Sequence, residues 1–246
     1  MFSKYILNVN RTTATCMIYG ELGLYPVEMH CTQKVLAFWA NIVNADENKI
    51  CVTLYKFMYN LLSQNIFTFK WLEFVKEILS NLNMISFWNN QKVRKIESFK
   101  ENVKSALNQK YNEKWQLEVF QSRKCTNYCM FKRELKFEKY LTLLPKNLRI
   151  NFTKFRLSNH KLPIEIGRHQ GIERADRKCN LCEIVGDEYH AIFQCPFFHE
   201  QRTKVIRKEF HFTANADNYL DIFSTHNVVE LNNLAKFCKN IIKFYK

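Results

Sequence analysis

Apolar residues recur at three- and four-residue intervals through most of this chain, and alternation of period two is rare. Residues 32–44 place Val35, Leu36, Trp39 and Ile42 or Val43 at helical spacing. A second periodic stretch carries Ile50, Leu54, Phe57, Met58 and Leu61, with Asp46 ahead of it as a possible cap. FKWLEFVKEILSNL repeats the pattern through Trp71, Phe74, Val75 and Leu79. These three segments predict a small helical bundle with aromatic side chains in its core.

Residues 1–30 read as irregular or short-helical, with a turn where Gly20, Gly23 and Pro26 fall close together. The longest predicted helix spans 91–121, with Val93, Ile96, Phe99, Val103 and Leu107 as its apolar stripe. Lys92, Arg94, Lys95, Lys100, Lys104 and Lys110 lie largely off that stripe, a solvated face or a track for phosphates. SRKCTN (122–127) interrupts the pattern; its Cys125 and the following Cys129 are four apart but lack a nearby histidine. Pro145 suits the start of a helix running through Leu148, Phe152 and Phe155. Asn159 to Pro163 reads as a loop, PFFHEQRTKVIRKEF as an amphipathic segment. The last helix carries Leu231, Leu234, Cys238 and Ile241 in register and should pack back on the body.

The division that follows is a helical region over 1–120 and a basic helical region over 128–246. Composition supports mostly α structure. Only 5 Gly and 4 Pro occur in 246 residues, too few for the many tight turns of an all-β fold. Hydrophobic residues make up 47% of the chain, enough for a real core and unlike a disordered protein.

Charge changes the picture from fold to partner. The net charge is +14, which favours polyanions, nucleic acid before an anionic membrane surface. Up to residue 90 there are 7 Lys and Arg against 6 Asp and Glu; from 91 onward there are 30 against 17. In FTKFR and CMFKRELKFEKY the basic residues interleave with aromatics, which permits phosphate pairing and base stacking or simply amphipathic helix faces. The start, MFSKYILNVNRT, lacks the apolar run of a secretory signal, and no run of about 18 apolar residues offers a membrane span. The nine cysteines are then expected to be reduced, in the cytoplasm or nucleus, rather than a disulfide framework.

One window carries chemistry. CNLCEIVGDEYHAIFQC (179–195) holds Cys179, Cys182, His190 and Cys195. Two residues between cysteines let both sulfurs meet one tetrahedral ion, and Gly186 lets the chain reverse before His190 and Cys195. Three thiolates and an imidazole suit a single Zn2+, and four protein ligands make such a site structural rather than catalytic. Four buried, unliganded side chains, or a redox CxxC, are the alternatives, the second without the strand–helix context it needs. His199 and His169 are substitute ligands on spacing alone; His160 could pack in its loop or touch phosphate. An ion here would matter, since structural zinc in small fingers contributes on the order of 10–16 kcal/mol of apparent binding energy.

FRLSNHKLPIEIGR, followed by RADRKCNLCEIVGDEYHAIFQCPFF, resembles the carboxy-terminal zinc-binding region of jockey-like non-LTR (LINE-type) retrotransposon polyproteins, downstream of the reverse transcriptase domain. FSKYILNVNRTTATCMIYGELGLYPV resembles the segment leaving the polymerase core, and LNNLAKFCKNIIKF the usual tail. The resemblance implies a role in gripping element RNA or target DNA during target-primed reverse transcription. It implies Cys179, Cys182, His190 and Cys195 as metal ligands. No paired aspartates of the polymerase kind occur, so no magnesium-dependent polymerase is expected. The chain then reads as a detached remnant without catalytic activity.

The expected whole is an irregular, mostly α-helical bundle with a small Cys-Cys-His-Cys zinc-binding unit. It would bind RNA or DNA mainly through phosphates, with Arg156, Lys161, Arg168, Arg174, Arg177 and Lys178 flanking the metal loop as contacts. The competing expectations are a protein-interaction module, for example with an intact reverse transcriptase, and a fragment with no function. Neither a Gly-rich phosphate loop, a nucleophile elbow nor a carboxylate constellation points to another enzyme.

Overall fold

The computed structural model describes residues 2–210 and 215–245. The chain is 68% helical, without a strand among the described residues. Two isolated bridges, Leu22 with Phe137 and Lys178 with Val185, are its only β pairing there. No helix among the described residues is long and apolar enough to cross a membrane.

The chain divides into two compact units: a bundle, residues 25–113, and a basic unit made of 1–24 with 114–246. This differs from a division near 120–128. The first 24 residues fold with the carboxy-terminal part because α2 (Thr15–Leu22) is tied to it at several points. Trp115 Nε1 donates to the Cys16 carbonyl at 2.8 Å, Tyr128 Oη to the Met17 carbonyl at 3.2 Å, and Glu138 N to the Glu21 carbonyl at 2.9 Å.

The bundle contains α3 (Val27–Val43), α4 (Ile50–Ser63), α5 (Lys70–Asn81), α6 (Ile85–Asn90) and the first part of α7 (Ile96–Gln121). Its core holds Leu36, Trp39, Leu72, Val75, Leu79, Trp88, Val93, Phe99 and Val103. Trp39 and Trp88 stack at 6.1 Å, and Trp39 Nε1 donates to Tyr55 Oη at 2.8 Å. α6 ends where Gln91 adopts φ 49°, which turns the chain so that Val93 can enter the core. Asn44 then grips the Val93 backbone, accepting from its N–H at 3.0 Å and donating to its carbonyl.

α4 corrects the periodicity reading. Val52 and Tyr55 face inward, while Ile50, Leu54 and Phe57 are exposed at 77%, 56% and 61%. Tyr55 decides the face, because its hydroxyl satisfies Trp39 inside the core and donates to Gln91. Asp46 does not cap α4 either; it accepts from the Asn48 N–H at 2.9 Å, within the turn that precedes the helix.

The basic unit adds α1 (Phe2–Ile6), the rest of α7, α8 (Tyr128–Phe131), α9 (Tyr140–Leu143), α10 (Lys146–Arg156), α11 (Pro163–His169), α12 (His199–Val205), α13 (Ala216–Ser224) and α14 (Val228–Phe244). α10 packs on α14, and α8 on α13. Leu148, Phe152 and Phe155 of α10 are buried, as are Leu231, Leu234, Cys238 and Ile241 of α14.

An ion pair lies within this core. Arg156, 2% exposed, forks onto the buried Glu21 with Nε and Nη2 each 2.9 Å from a carboxylate oxygen. It also reaches Glu138 at 3.2 Å and the Phe223 carbonyl at 3.0 Å. Its guanidinium lies 4.5 Å from the Phe131 ring centroid and 4.9 Å from that of Tyr140. Arg156 is therefore not a phosphate contact in this fold: both its charge and its flat faces are already occupied.

Candidate metal centre

Residues 177–186 form a tight knuckle. The Cys179 N–H donates to the Ile184 carbonyl at 2.6 Å and the Gly186 N–H to the Arg177 carbonyl at 2.8 Å. Glu183, at φ 55°, makes the reversal between them. Gly186 is required by packing: a Cβ there would stand 2.9 Å from Pro163 Cγ and 3.1 Å from Cys179 Cα. Its carbonyl accepts from the Ile164 N–H at 3.1 Å, which pins the knuckle to α11.

The second half of the site depends on an uncommon helix. Asp187 accepts from the His190 N–H at 2.9 Å and starts a π-helical stretch, His190–Gln194. In an α-helix, residues five apart point about 140° away from each other. The i→i+5 closure of a π-turn brings them nearly into line. Here the Cys195 N–H donates to the His190 carbonyl at 2.8 Å, and both side chains face one point.

The four expected donors converge. The ligand atoms of Cys179, Cys182, His190 and Cys195 all lie within 4.8 Å of one another. A tetrahedral site with sulfur at about 2.3 Å and nitrogen near 2.0 Å has donor–donor edges of about 3.6–3.8 Å, so the set fits one ion after slight contraction. His190 Nε2 is 3.1 Å from Cys182 Sγ, and its Nδ1 is buried without a hydrogen-bond partner. No second such cluster occurs among the described residues, and His169 and His199 are outside it and exposed.

The thiols oppose one another's ionisation. Burial pushes Cys182 up to about 12, and the neighbouring Cys179 adds to it. Burial likewise raises Cys195 and lowers the imidazole of His190. Burial also resists ionisation of Cys179, but hydrogen bonds from Tyr245, 3.4 Å away, and from the other thiols outweigh it and lower its pKa. A bound divalent ion would offset these penalties and remove the thiol protons.

Side chains around the cluster hold its backbone. Buried Arg202 donates to the Ile192 carbonyl at 2.6 Å and the Cys195 carbonyl at 2.7 Å. Glu188 is buried behind the site and accepts from Ser158 at 2.6 Å, from Asn127, and from His160, whose Nε2 lies 2.9 Å away. Burial disfavours its charge, yet His160 and Ser158 hold it down to about 2. His160 is therefore a packed residue. No motif in the sequence marks Arg202 or Glu188 for these roles; their partners are backbone carbonyls and distant side chains with no spacing signature.

The remaining expected phosphate contacts are mostly engaged at home. Arg168 pairs with Glu165 at 2.7 Å and Arg174 with Asp187 at 2.8 Å. Arg177 donates to the carbonyls of Ile172 at 2.8 Å and Ile164 at 3.2 Å. Lys161 and Lys178 are exposed, Lys178 with Glu183 only at 3.8 Å. Unpaired cations lie elsewhere in this unit. On α14, Lys236, Lys239 and Lys243 share the outward face with Asn232, Asn233 and Asn240, without a carboxylate on that face. Tyr245, just past the end of α14, lies 3.4 Å from Cys179 Sγ and ties the end of this helix to the cysteine cluster.

Comparison with protein-family models, with curated proteins and with solved structures finds no match for this chain.

Proposed function

We propose that the protein is a non-catalytic, zinc-stabilised nucleic-acid-binding module of the kind that follows the reverse transcriptase domain in non-LTR retrotransposons. The observation that carries this reading is the convergence of three thiols and an imidazole in a unit with 26 Lys and Arg against 15 Asp and Glu. Zinc is the ion of choice because thiolate and imidazole donors at tetrahedral spacing suit it. Its role is a cross-link: it joins the knuckle to the π-helical turn and leaves no open position for a substrate. Polyanion contact falls to Lys236, Lys239 and Lys243 on α14, assisted by Lys161 and Lys178, rather than to the arginines around the knuckle.

A second reading, docking on a protein such as a reverse transcriptase, is favoured by the exposed stripe Ile50, Leu54 and Phe57 on α4. Salt separates the two, since phosphate contacts weaken steeply as salt rises and an apolar interface does not. The test is metal analysis of purified protein, with binding of a labelled oligonucleotide followed by fluorescence anisotropy across a salt series. One zinc per chain, lost in Cys182→Ser, together with a salt slope that flattens by about two units in K236Q/K239Q/K243Q, is the expected result. Metal-free protein with an intact fold, or binding indifferent to salt, would refute it.

A further inference from the structure

We infer that the bundle carries a second, independent polyanion site: a groove between α6 and the start of α7 that takes the sugar–phosphate backbone of a single nucleic-acid strand. The turn between these helices is pinned from inside. Val93 is fully buried, and Asn44 holds its backbone from both sides. Its neighbours Lys92, Arg94 and Lys95 are thereby turned outward, and none of them has a hydrogen-bond or ion-pair partner among the described residues.

These three cations form one wall of a depression of ≈ 540 Å³. Ser86 and Asn90 of α6 and Ser98 and Asn102 of α7 supply hydroxyl and amide groups to it. Phe87 and Phe99, edge to face at 5.0 Å, also line it, Phe99 buried and Phe87 half-buried. No carboxylate lines the groove. The nearest acid on α7, Glu97, pairs with Lys100 at 2.7 Å instead.

Three like charges within four residues repel one another, and no ion pair among the described residues offsets that repulsion. A polyanion would. The mixture of cations, amides and an aromatic ring is the combination that single strands use: phosphates on the cations, a base against a ring, base edges on amides. A duplex could bring only its outer phosphates to the rim and would leave Phe87 untouched.

The site lies wholly in residues 25–113, whereas the metal cluster and α14 belong to the other unit, so each can be tested while the other is intact. The experiment uses the full chain and a fluorescein-labelled single strand of about a dozen nucleotides, as DNA and as RNA, in a salt series. K92Q/R94Q/K95Q should flatten the slope of log affinity against log salt by about two units, at roughly 0.7 for each phosphate no longer neutralised. Phe87→Leu should weaken binding severalfold without changing the slope. Because the three cations are exposed, unpartnered and mutually repulsive, the triple variant should melt at or slightly above the wild-type temperature.

A triple variant with wild-type slope and affinity overturns the inference. Inorganic tripolyphosphate binding as tightly as the strand, with Phe87→Leu silent, overturns it in favour of a small-anion site. If K236Q/K239Q/K243Q flattens the slope and the groove variant does not, the groove fails alone. If the reverse holds, the α14 surface fails alone. If the wild-type chain binds no strand, both fall.

Discussion

Replacing Arg156 with leucine should unfold the basic unit at markedly lower temperature. The side chain is 1% exposed and Glu21, its main partner, is 0% exposed. Leucine would leave the Glu21 carboxylate buried without its cation and Glu138 with Lys132 alone. Breaking a buried pair in this way costs about 3–5 kcal/mol. Loss of the guanidinium from the rings of Phe131 and Tyr140 adds up to about 2 kcal/mol at a desolvated site. For a chain of this size about 1 kcal/mol corresponds to roughly 2–4 °C in Tm, so the melt should shift down by on the order of 10–20 °C. Far-UV circular dichroism during heating reads that shift. Glu21→Gln should produce much of the same loss, and the double variant should cost far less than the sum, because the two residues act on one another. Oligonucleotide binding, measured well below the melt, should keep its salt slope. A shift of less than about 2 °C, or a flattened slope in the folded variant, would mean that Arg156 faces a phosphate rather than Glu21, and the reasoning would fall.

Two further outcomes follow from the packing. Gly186→Ala places a methyl group against Pro163 and the Cys179 backbone, an overpacking cost of about 1–3 kcal/mol that falls on the knuckle itself; metal should be lost to a chelator faster than from wild type, and equal rates would refute the packing argument. Glu138 is buried, which opposes its charge, but Arg156 and then Lys132 outweigh this and depress its pKa. A depressed carboxylate contributes stability that is full above its unfolded value of about 4.3 and is lost as pH falls through the folded value. The melting temperature should therefore drop below about pH 4, and Glu138→Gln should remove part of that drop; parallel curves for the two proteins would count against the ion-pair network.

The four side chains that converge were legible in the sequence because their constraint is local. The two-residue spacing of Cys179 and Cys182 lets both sulfurs meet one point, and His190 and Cys195 follow within the same short window. The inward face of α14 was legible for a similar reason: Leu231, Leu234, Cys238 and Ile241 keep one register and all four are buried. The face of α4 was not. Apolar residues occupy more than one side of that helix, so periodicity alone cannot choose between Ile50–Leu54–Phe57 and Val52–Tyr55. The choice was made by a hydroxyl that must satisfy Trp39, a residue 16 positions away. Arg156 shows the same limit more sharply, since its carboxylate partner is 135 residues distant.

Charge is hardest to read from sequence because its meaning depends on what is left after internal pairing. Backbone carbonyls in and around the knuckle draw nearby arginines inward. Arg177 binds Ile164 and Ile172, Arg202 binds Ile192 and Cys195, and Arg174 closes on Asp187. Proximity to a metal loop therefore argues against a basic residue as a ligand contact here. The lysines that remain available lie on helix faces whose inward side is already filled by apolar residues. Lys236, Lys239 and Lys243 are of that kind, and so are the cations that Val93 turns outward by entering the core. In this chain the cations without an internal partner are set by which positions the core leaves behind, and the core's own register predicts them better than the density of positive charge does.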